Sequence, residues 1–245
     1  MRRGFFALLL GLLCSAPAAG QTPALIADLS KRQIAITTGF AGTDLLLFGA
    51  VEGPGDVIVV VRGPPREQVV RRKIRIAGVW LNGESVEFAH VPVFYWVASS
   101  RPLNAIAPPA FLDQHGIGTG HLALRPAEGA QHDIPAFRAA LVRNKAEADL
   151  YEEAEGAVTF LADRLFRTTV TFPANLPTGT YEAEVYLLRD RSLVSRQTTT
   201  IEVARVGLGA RIHNFARQQA ALYGIIAVLV ALAAGWLAGV IFRRA

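Results

Sequence analysis

From Ala220 to Phe242 the chain carries no charged side chain. The run reads AALYGIIAVLVALAAGWLAGVIF. At ~1.5 Å rise per residue it makes a helix of roughly 34 Å, enough to cross a hydrocarbon core ~30 Å thick. Only Arg243, Arg244 and Ala245 follow it. The working part of the chain is therefore expected on the near side of a membrane. An output domain for signalling across that membrane is not expected, because three residues cannot carry one.

The first residues are apolar in a different way. Arg2 and Arg3 form a positive n-region, Phe5 to Leu13 a short apolar core, and Ser15 to Gly20 a string of small residues and proline. This pattern predicts a signal peptide over 1–20, too short to span comfortably and cleaved before Gln21. Cys14 is the single cysteine and lies inside that segment. Leu13 before it argues against lipidation. The mature chain then has no disulfide, no thiolate metal site and no cysteine nucleophile. A cleaved signal and one terminal span predict an N-outside, C-inside topology. Arg243 and Arg244 agree with it, and Arg205, Arg211 and Arg217 on the other flank lean weakly against it. The expected location is a bacterial inner membrane, with the main domain periplasmic and 243–245 cytoplasmic.

The formal net charge of +5 is misleading when taken whole. Without Arg2, Arg3, Arg243 and Arg244, 21 basic side chains face 20 acidic ones. A nucleic-acid surface needs a basic surplus, so that class is excluded. The one local surplus is Arg62, Arg66, Arg71, Arg72, Lys73 and Arg75 against Glu67. It reads as a solvated strand face or, as a second reading, an anion or partner surface.

The main domain spans 21–205, with a juxtamembrane segment over 206–219. Asp44 to Val51 and Asp56 to Val61 read as neighbouring strands around the turn Glu52-Gly53-Pro54-Gly55. Val69 to Ile76 reads as a strand that alternates near its end, and Val79-Trp80-Leu81 and Ser85 to Phe88 read as a hairpin turning at Asn82-Gly83. Val91 to Ala98 reads as one aromatic strand. Its Phe94-Tyr95-Trp96 is expected to divide between core and edge. Pro and Gly residues break the next stretch, and Ile134 to Tyr151 has a helical pattern with Asp133 as N-cap. Alternating strands return over Leu165–Phe172, Tyr181–Leu188 and Leu193–Val203.

The string Leu176-Pro177-Thr178-Gly179-Thr180-Tyr181 suits the E–F connection of an immunoglobulin-type sandwich, with Tyr181 as the corner tyrosine. The last three strands would be E, F and G and the earlier runs A to D. The fold expected is mainly β: an immunoglobulin- or fibronectin-like β-sandwich with a helical insertion at about 101–156, then one C-terminal transmembrane helix. Two small sandwiches are the alternative.

Sites of chemistry are scarce. Asp113, His115, His121, His132 and Asp133 form the densest set of metal-ligand types, but no His-x-x-x-His spacing joins them. No Gly-x-Ser-x-Gly presents a serine, and Ser99-Ser100 reads as a strand end. Glu152-Glu153-Ala154-Glu155 reads as a helix end in solvent. Gly116 to Gly120 lacks the strand and lysine of a phosphate loop. No catalytic residue, metal or cofactor is assigned, and an enzyme is not expected. In the apolar helix, Ala227, Ala231, Gly235 and Gly239 recur every four residues, and Gly235 to Gly239 is a GxxxG match, a face on which another helix can approach closely.

Several strings carry a family resemblance. Among them are Leu47-Phe48-Gly49-Ala50, Val60-Val61-Arg62-Gly63-Pro64, Gly78-Val79-Trp80-Leu81-Asn82, Ser99-Ser100-Arg101-Pro102-Leu103 and Pro177-Thr178-Gly179-Thr180-Tyr181. Through them nearly the whole mature chain resembles a family of putative transmembrane proteins from alphaproteobacteria. The resemblance implies a signal peptide, a periplasmic domain and one C-terminal span, and points loosely to a sulfite-exporter-like permease nearby. It carries over no catalytic residue. The function expected is a membrane-anchored binding or accessory protein. Its expected partners are inner-membrane lipid and an integral membrane protein such as a transporter, or a second copy through the helix. The alternative is a periplasmic small-anion-binding or envelope-enzyme accessory domain.

Overall fold

The computed structural model describes residues 23–127, 133–152, 154–207 and 219–242. The expected signal peptide over 1–20, most of the juxtamembrane segment and the tail 243–245 lie outside them. One sheet runs β1 (Leu25–Leu29), β3 (Thr43–Val51), β11 (Leu165–Phe172) and β10 (Thr159–Leu161), in that order and antiparallel throughout. A second runs β2 (Gln33–Ile36), β13 (Ser192–Arg205), β12 (Gly179–Arg189), β4 (Asp56–Arg62), β7 (Tyr95–Ser99) and β9 (Gly156–Ala157). In it β2 is parallel to β13, and β9 to β7. A small third sheet joins β5 (Pro65–Ile76), β6 (Val79–Pro92) and β8 (Arg125–Pro126). Helices α1 (Leu103–Ile106), α2 (Pro109–His115) and α3 (Ile134–Glu147) lie between β7 and β9 in sequence, and α4 (Ala220–Phe242) closes the chain.

Strands from both ends of the chain share sheets: β3 pairs with β11 and β4 with β12. The two large sheets close one sandwich over a common core that includes Leu45, Val59, Phe172, Tyr181 and Ile201. A second core covers the outer face of the second sheet. It joins Ile58, Val60, Tyr95 and Tyr186 to Val86, Phe88, Leu112, Phe137 and Leu141. The central strands β4 and β7 and the later half of β12 thus form a middle layer, buried on both sides. This explains β4, where Val57 to Val61 are all buried. A strand covered on both faces loses the alternation of a half-exposed one. Each of these side chains contributes roughly 1.5–3 kcal/mol by leaving water. β11 packs on one side only and alternates strictly between exposed and buried.

Several expectations need correction. Strands β3 and β4 are not neighbours; the turn between them carries the chain from one sheet to the other. Gly55 permits this corner, since a Cβ there would lie 2.8 Å from the Leu187 side chain and 3.0 Å from the Leu188 carbonyl. The β5–β6 hairpin turns at Ala77-Gly78, where φ is 50° and 86°, and not at Asn82-Gly83. This register sets Ile74 opposite Leu81 and Ile76 opposite Val79, with Arg75 opposite Trp80. Pairing of like side chains outweighs the turn preference of Asn-Gly. Strands β5 and β6 also stand outside the sandwich, so they are not among its A to D strands. Their buried residues Val70, Val86, Phe88 and Val91 face the second core.

Val91 to Ala98 is likewise two strands. The chain leaves β6 after Pro92 and joins β4 from Tyr95, with Val93 N donating to Pro64 O (3.1 Å) and Gly63 N to Phe94 O (2.8 Å). Phe94 and Trp96 enter the first core and Tyr95 the second, so none of the three is an edge residue. Helix α3 is capped by Asp133, which accepts from Ala136 N at 3.4 Å. It ends at Glu147, before the expected Tyr151, because Asp149 adopts φ 56° and turns the chain away.

Candidate functional site

Strand alternation puts Glu182, Glu184 and Tyr186 on one face of β12. In β12 that face lies under the helices, and Glu184 is 3% exposed. Its carboxylate sits between guanidiniums from both neighbouring strands. Register sets Glu184 opposite Val60 of β4 and Thr198 of β13, so Arg62 and Arg196 are diagonal neighbours on the same face. Arg62 Nη1 pairs with Glu184 Oε2, and Arg196 Nη2 with Oε1. The Tyr186 hydroxyl donates to Oε2 at 3.1 Å.

The network continues into the loop after α2. Arg62 Nη2 donates to the carbonyls of His115 (2.6 Å) and Gly116 (3.1 Å). The Tyr95 hydroxyl donates to Gly116 O (3.2 Å) and accepts from Gly118 N (2.6 Å). Burial pushes the Tyr95 phenol up to about 12, so it stays a donor at neutral pH. The His115 ring lies 4.4 Å from Phe111 and 5.4 Å from Tyr186 between centroids. Burial, then the charges of Arg196 and Arg62, hold its imidazole below the usual histidine range. Among the described residues, no buried side-chain nitrogen or oxygen lacks a hydrogen-bond partner. The lone pairs of Glu184 are engaged by three donors, which suits it to fastening the α2 loop to the sheet. This network was missed because a single Arg after an apolar run and a Glu in an alternating strand each look solvated. The signal available was Arg62 closing the unbroken apolar run Val57 to Val61, the pattern of a strand covered on both faces.

The six cations expected as a surface separate. Arg62 is consumed as described. Arg66 Nη2 donates to Thr178 O at 3.2 Å. Arg72 pairs with Glu84 at 3.3 Å and lies 5.1 Å from the Phe137 ring centroid. Lys73 Nζ donates to Asn82 Oδ1 at 2.7 Å, and Arg75 lies 5.9 Å from the Trp80 ring centroid. Arg71, Arg72, Lys73 and Arg75 share the outer part of the β5–β6 hairpin, whereas Arg62 and Arg66 stand at its root. A cleft of about 440 Å³ opens beside that root, lined by Arg62, His90, His115, Leu124 and Glu182 among others. A larger groove of about 880 Å³ is lined by Asp44, Asp149, Tyr151, Glu152 and Phe172 among others.

The loop candidates take structural places. His121 Nδ1 lies 2.6 Å from Asp113 Oδ1, Asp133 caps α3, and His132 lies outside the described residues. Among the described residues no group of three or more His, Cys, Asp or Glu is placed to hold a metal. Ser100 Oγ donates to Asp56 at 3.1 Å. Glu155 does not end a helix in solvent: it accepts from Leu103 N (3.2 Å) and Ser99 Oγ (3.4 Å), tying the entry of α1 to the end of β7. Gly116 ends α2 in the left-handed region, at φ 59° and ψ 42°.

Helix α4 is long and apolar enough to cross a membrane. Ala227, Ala231, Gly235 and Gly239 lie exposed along it, and nothing stands within 4 Å of a Cβ built on either glycine. With an apolar terminal helix behind a β-rich domain, the match that decides the family is to "Putative transmembrane protein (Alph_Pro_TM)", over residues 24–244. The chain belongs to this family. The match takes in the sandwich, the α1–α3 layer and α4, so the Alph_Pro_TM unit is the whole of what the structure describes. No curated protein matches the chain.

Proposed function

We propose that this Alph_Pro_TM protein is a non-enzymatic binding or accessory protein of the bacterial inner membrane. Its domain lies in the periplasm and its C-terminus in the cytoplasm, and it acts on an integral membrane partner of the transporter class. The sandwich is of the immunoglobulin type. The order β1-β3-β11-β10 facing β2-β13-β12-β4-β7 supports that, as does the Tyr181 hydroxyl donating to Pro177 O at 2.6 Å. The observation that carries the functional reading is the exposed small-residue line Ala227, Ala231, Gly235, Gly239 on α4. Small side chains let a second backbone approach and gain dispersion contacts that lipid tails do not supply. The buried polar groups of the domain, by contrast, are engaged with one another.

Gly235→Ile with Gly239→Ile tests this reading. Branched bulk on this line should lower co-purification or crosslinking of the partner while membrane insertion persists. The same bulk at Ala233 and Ala238 should do less. Equal association in all variants would remove the helix from the mechanism. A reporter active only in the cytoplasm, fused at the C-terminus, should be active, and one fused near Gly207 inactive; the reverse would overturn the orientation.

A further inference from the structure

The outer part of the β5–β6 hairpin has no counterpart in the core that would account for its composition. From Arg71 to Gly83 it reads RRKIRIAGVWLNG, four cations and no acid. Register puts Ile74, Ile76, Val79 and Leu81 on one face and Lys73, Arg75 and Trp80 on the other. Ile76, Val79 and Trp80 are 54%, 61% and 63% exposed. An apolar face backed by cations and a tryptophan is the composition of segments lying in a bilayer interface. There apolar groups enter the acyl boundary, Trp sits at headgroup level, and Lys and Arg meet phosphates.

Topology roots this hairpin at the end of the sheet from which the chain leaves towards α4. Strands β4 and β13 are both antiparallel to β12, hence parallel to each other, and their last residues lie at one end of the sheet. The hairpin begins directly after β4, and the chain leaves for α4 directly after β13. The two exits touch through one loop. Gly179, opposite Val203, packs on Pro64 so closely that a Cβ would lie 2.7 Å from its ring, and Arg66 holds Thr178 O at 3.2 Å. The fourteen residues 206–219 can span at most about 50 Å. The arm from Arg71 to Ile76 reaches about 20 Å.

We propose that the tip of the β5–β6 hairpin is a second membrane contact, inserting Ile76, Val79 and Trp80 into the interface of an anionic phospholipid bilayer, the one that holds α4. Four cations against the single acid Glu84, which engages Arg72, leave a net positive tip that fits a negatively charged surface, and this complementarity commits the face to lipid. The inference requires α4 in a bilayer and does not depend on a protein partner.

The test uses the full chain with Cys14→Ser and a fluorescent label on Val79→Cys, reconstituted into vesicles containing a lipid-borne quencher. In phosphatidylcholine with phosphatidylglycerol, the label at position 79 should be quenched, whereas one on Ser192→Cys, at the opposite end of the sheet, should not. Lys73→Gln and Arg75→Gln should each weaken the contact about five-fold, and high salt should weaken it further. Absence of quenching at 79 in anionic vesicles would overturn the proposal, as would equal quenching in pure phosphatidylcholine or indifference to the cation changes. Shielding of the label only in native membranes, and not in protein-free vesicles, would assign the tip to a protein and likewise overturn it.

Discussion

Glu184→Gln is the most informative single change, because it removes one charge and almost no volume. The Glu184 side chain is 4% exposed, Arg62 21% and Arg196 45%. Breaking a buried pair from one side costs about 3–5 kcal/mol, because the remaining charge is left uncompensated. Here the loss is softened in two ways. Arg62 retains the carbonyls of His115 and Gly116, and Arg196 can turn to water. An expected destabilisation of about 2–3 kcal/mol follows. The two arginines should differ. Coupling of Glu184 to half-buried Arg62 should reach about 2 kcal/mol, whereas coupling to Arg196 should fall near the ~0.5–1 kcal/mol of exposed pairs. Denaturant unfolding of the segment 21–207, which holds both cores, followed by tryptophan fluorescence in double-mutant cycles, measures both. A midpoint for Glu184→Gln equivalent to less than ~0.5 kcal/mol of change would refute the clamp, as would a larger coupling to Arg196 than to Arg62.

Tyr181→Phe deletes the hydroxyl that holds Pro177 O and should cost the same segment about 0.5–1.5 kcal/mol; an unchanged midpoint would count against the corner. His115 titrates below the unfolded value of 6.5, so the unfolded chain takes up the proton first. The stability tied to this group is therefore complete at neutral pH and declines as pH falls below 6.5 towards the folded value. His115→Gln should remove that part of the pH dependence, and an NMR midpoint for His115 at or above 6.5 would contradict the burial argument.

Much of the architecture was legible along the chain because its signals are local. A charge-free run of 23 residues defines α4 with no help from tertiary contacts. The strict alternation of β11 and the Pro177-to-Tyr181 string announce a strand and a tyrosine that bonds back to its own loop. The Asp133 cap and Pro135 announce where α3 begins. Local signals give way where cross-strand contacts oppose them. Asn82-Gly83 is a strong turn pair in isolation, yet cross-strand pairing of Ile74 with Leu81 and Ile76 with Val79 moved the turn to Ala77-Gly78.

What only the tertiary structure decided is which surfaces meet. Alternation in β12 assigns Glu184 and Tyr186 to one face, but whether that face meets water depends on segments about 40 to 120 residues away in the chain. The β5–β6 sheet and helices α1–α3 cover it, so a carboxylate that reads as solvated becomes the centre of a buried network with Arg62 and Arg196. The cations from Arg62 to Arg75 form one group in sequence and two in space, because the strand boundary at Gly63-Pro64 takes the chain out of the sandwich. Periodicity records which side a residue faces; only packing determines what stands there. The sequence by itself therefore determined the membrane helix and the strand-rich domain, while the buried clamp and the placement of the basic hairpin beside the exit to the membrane were decided by long-range contacts.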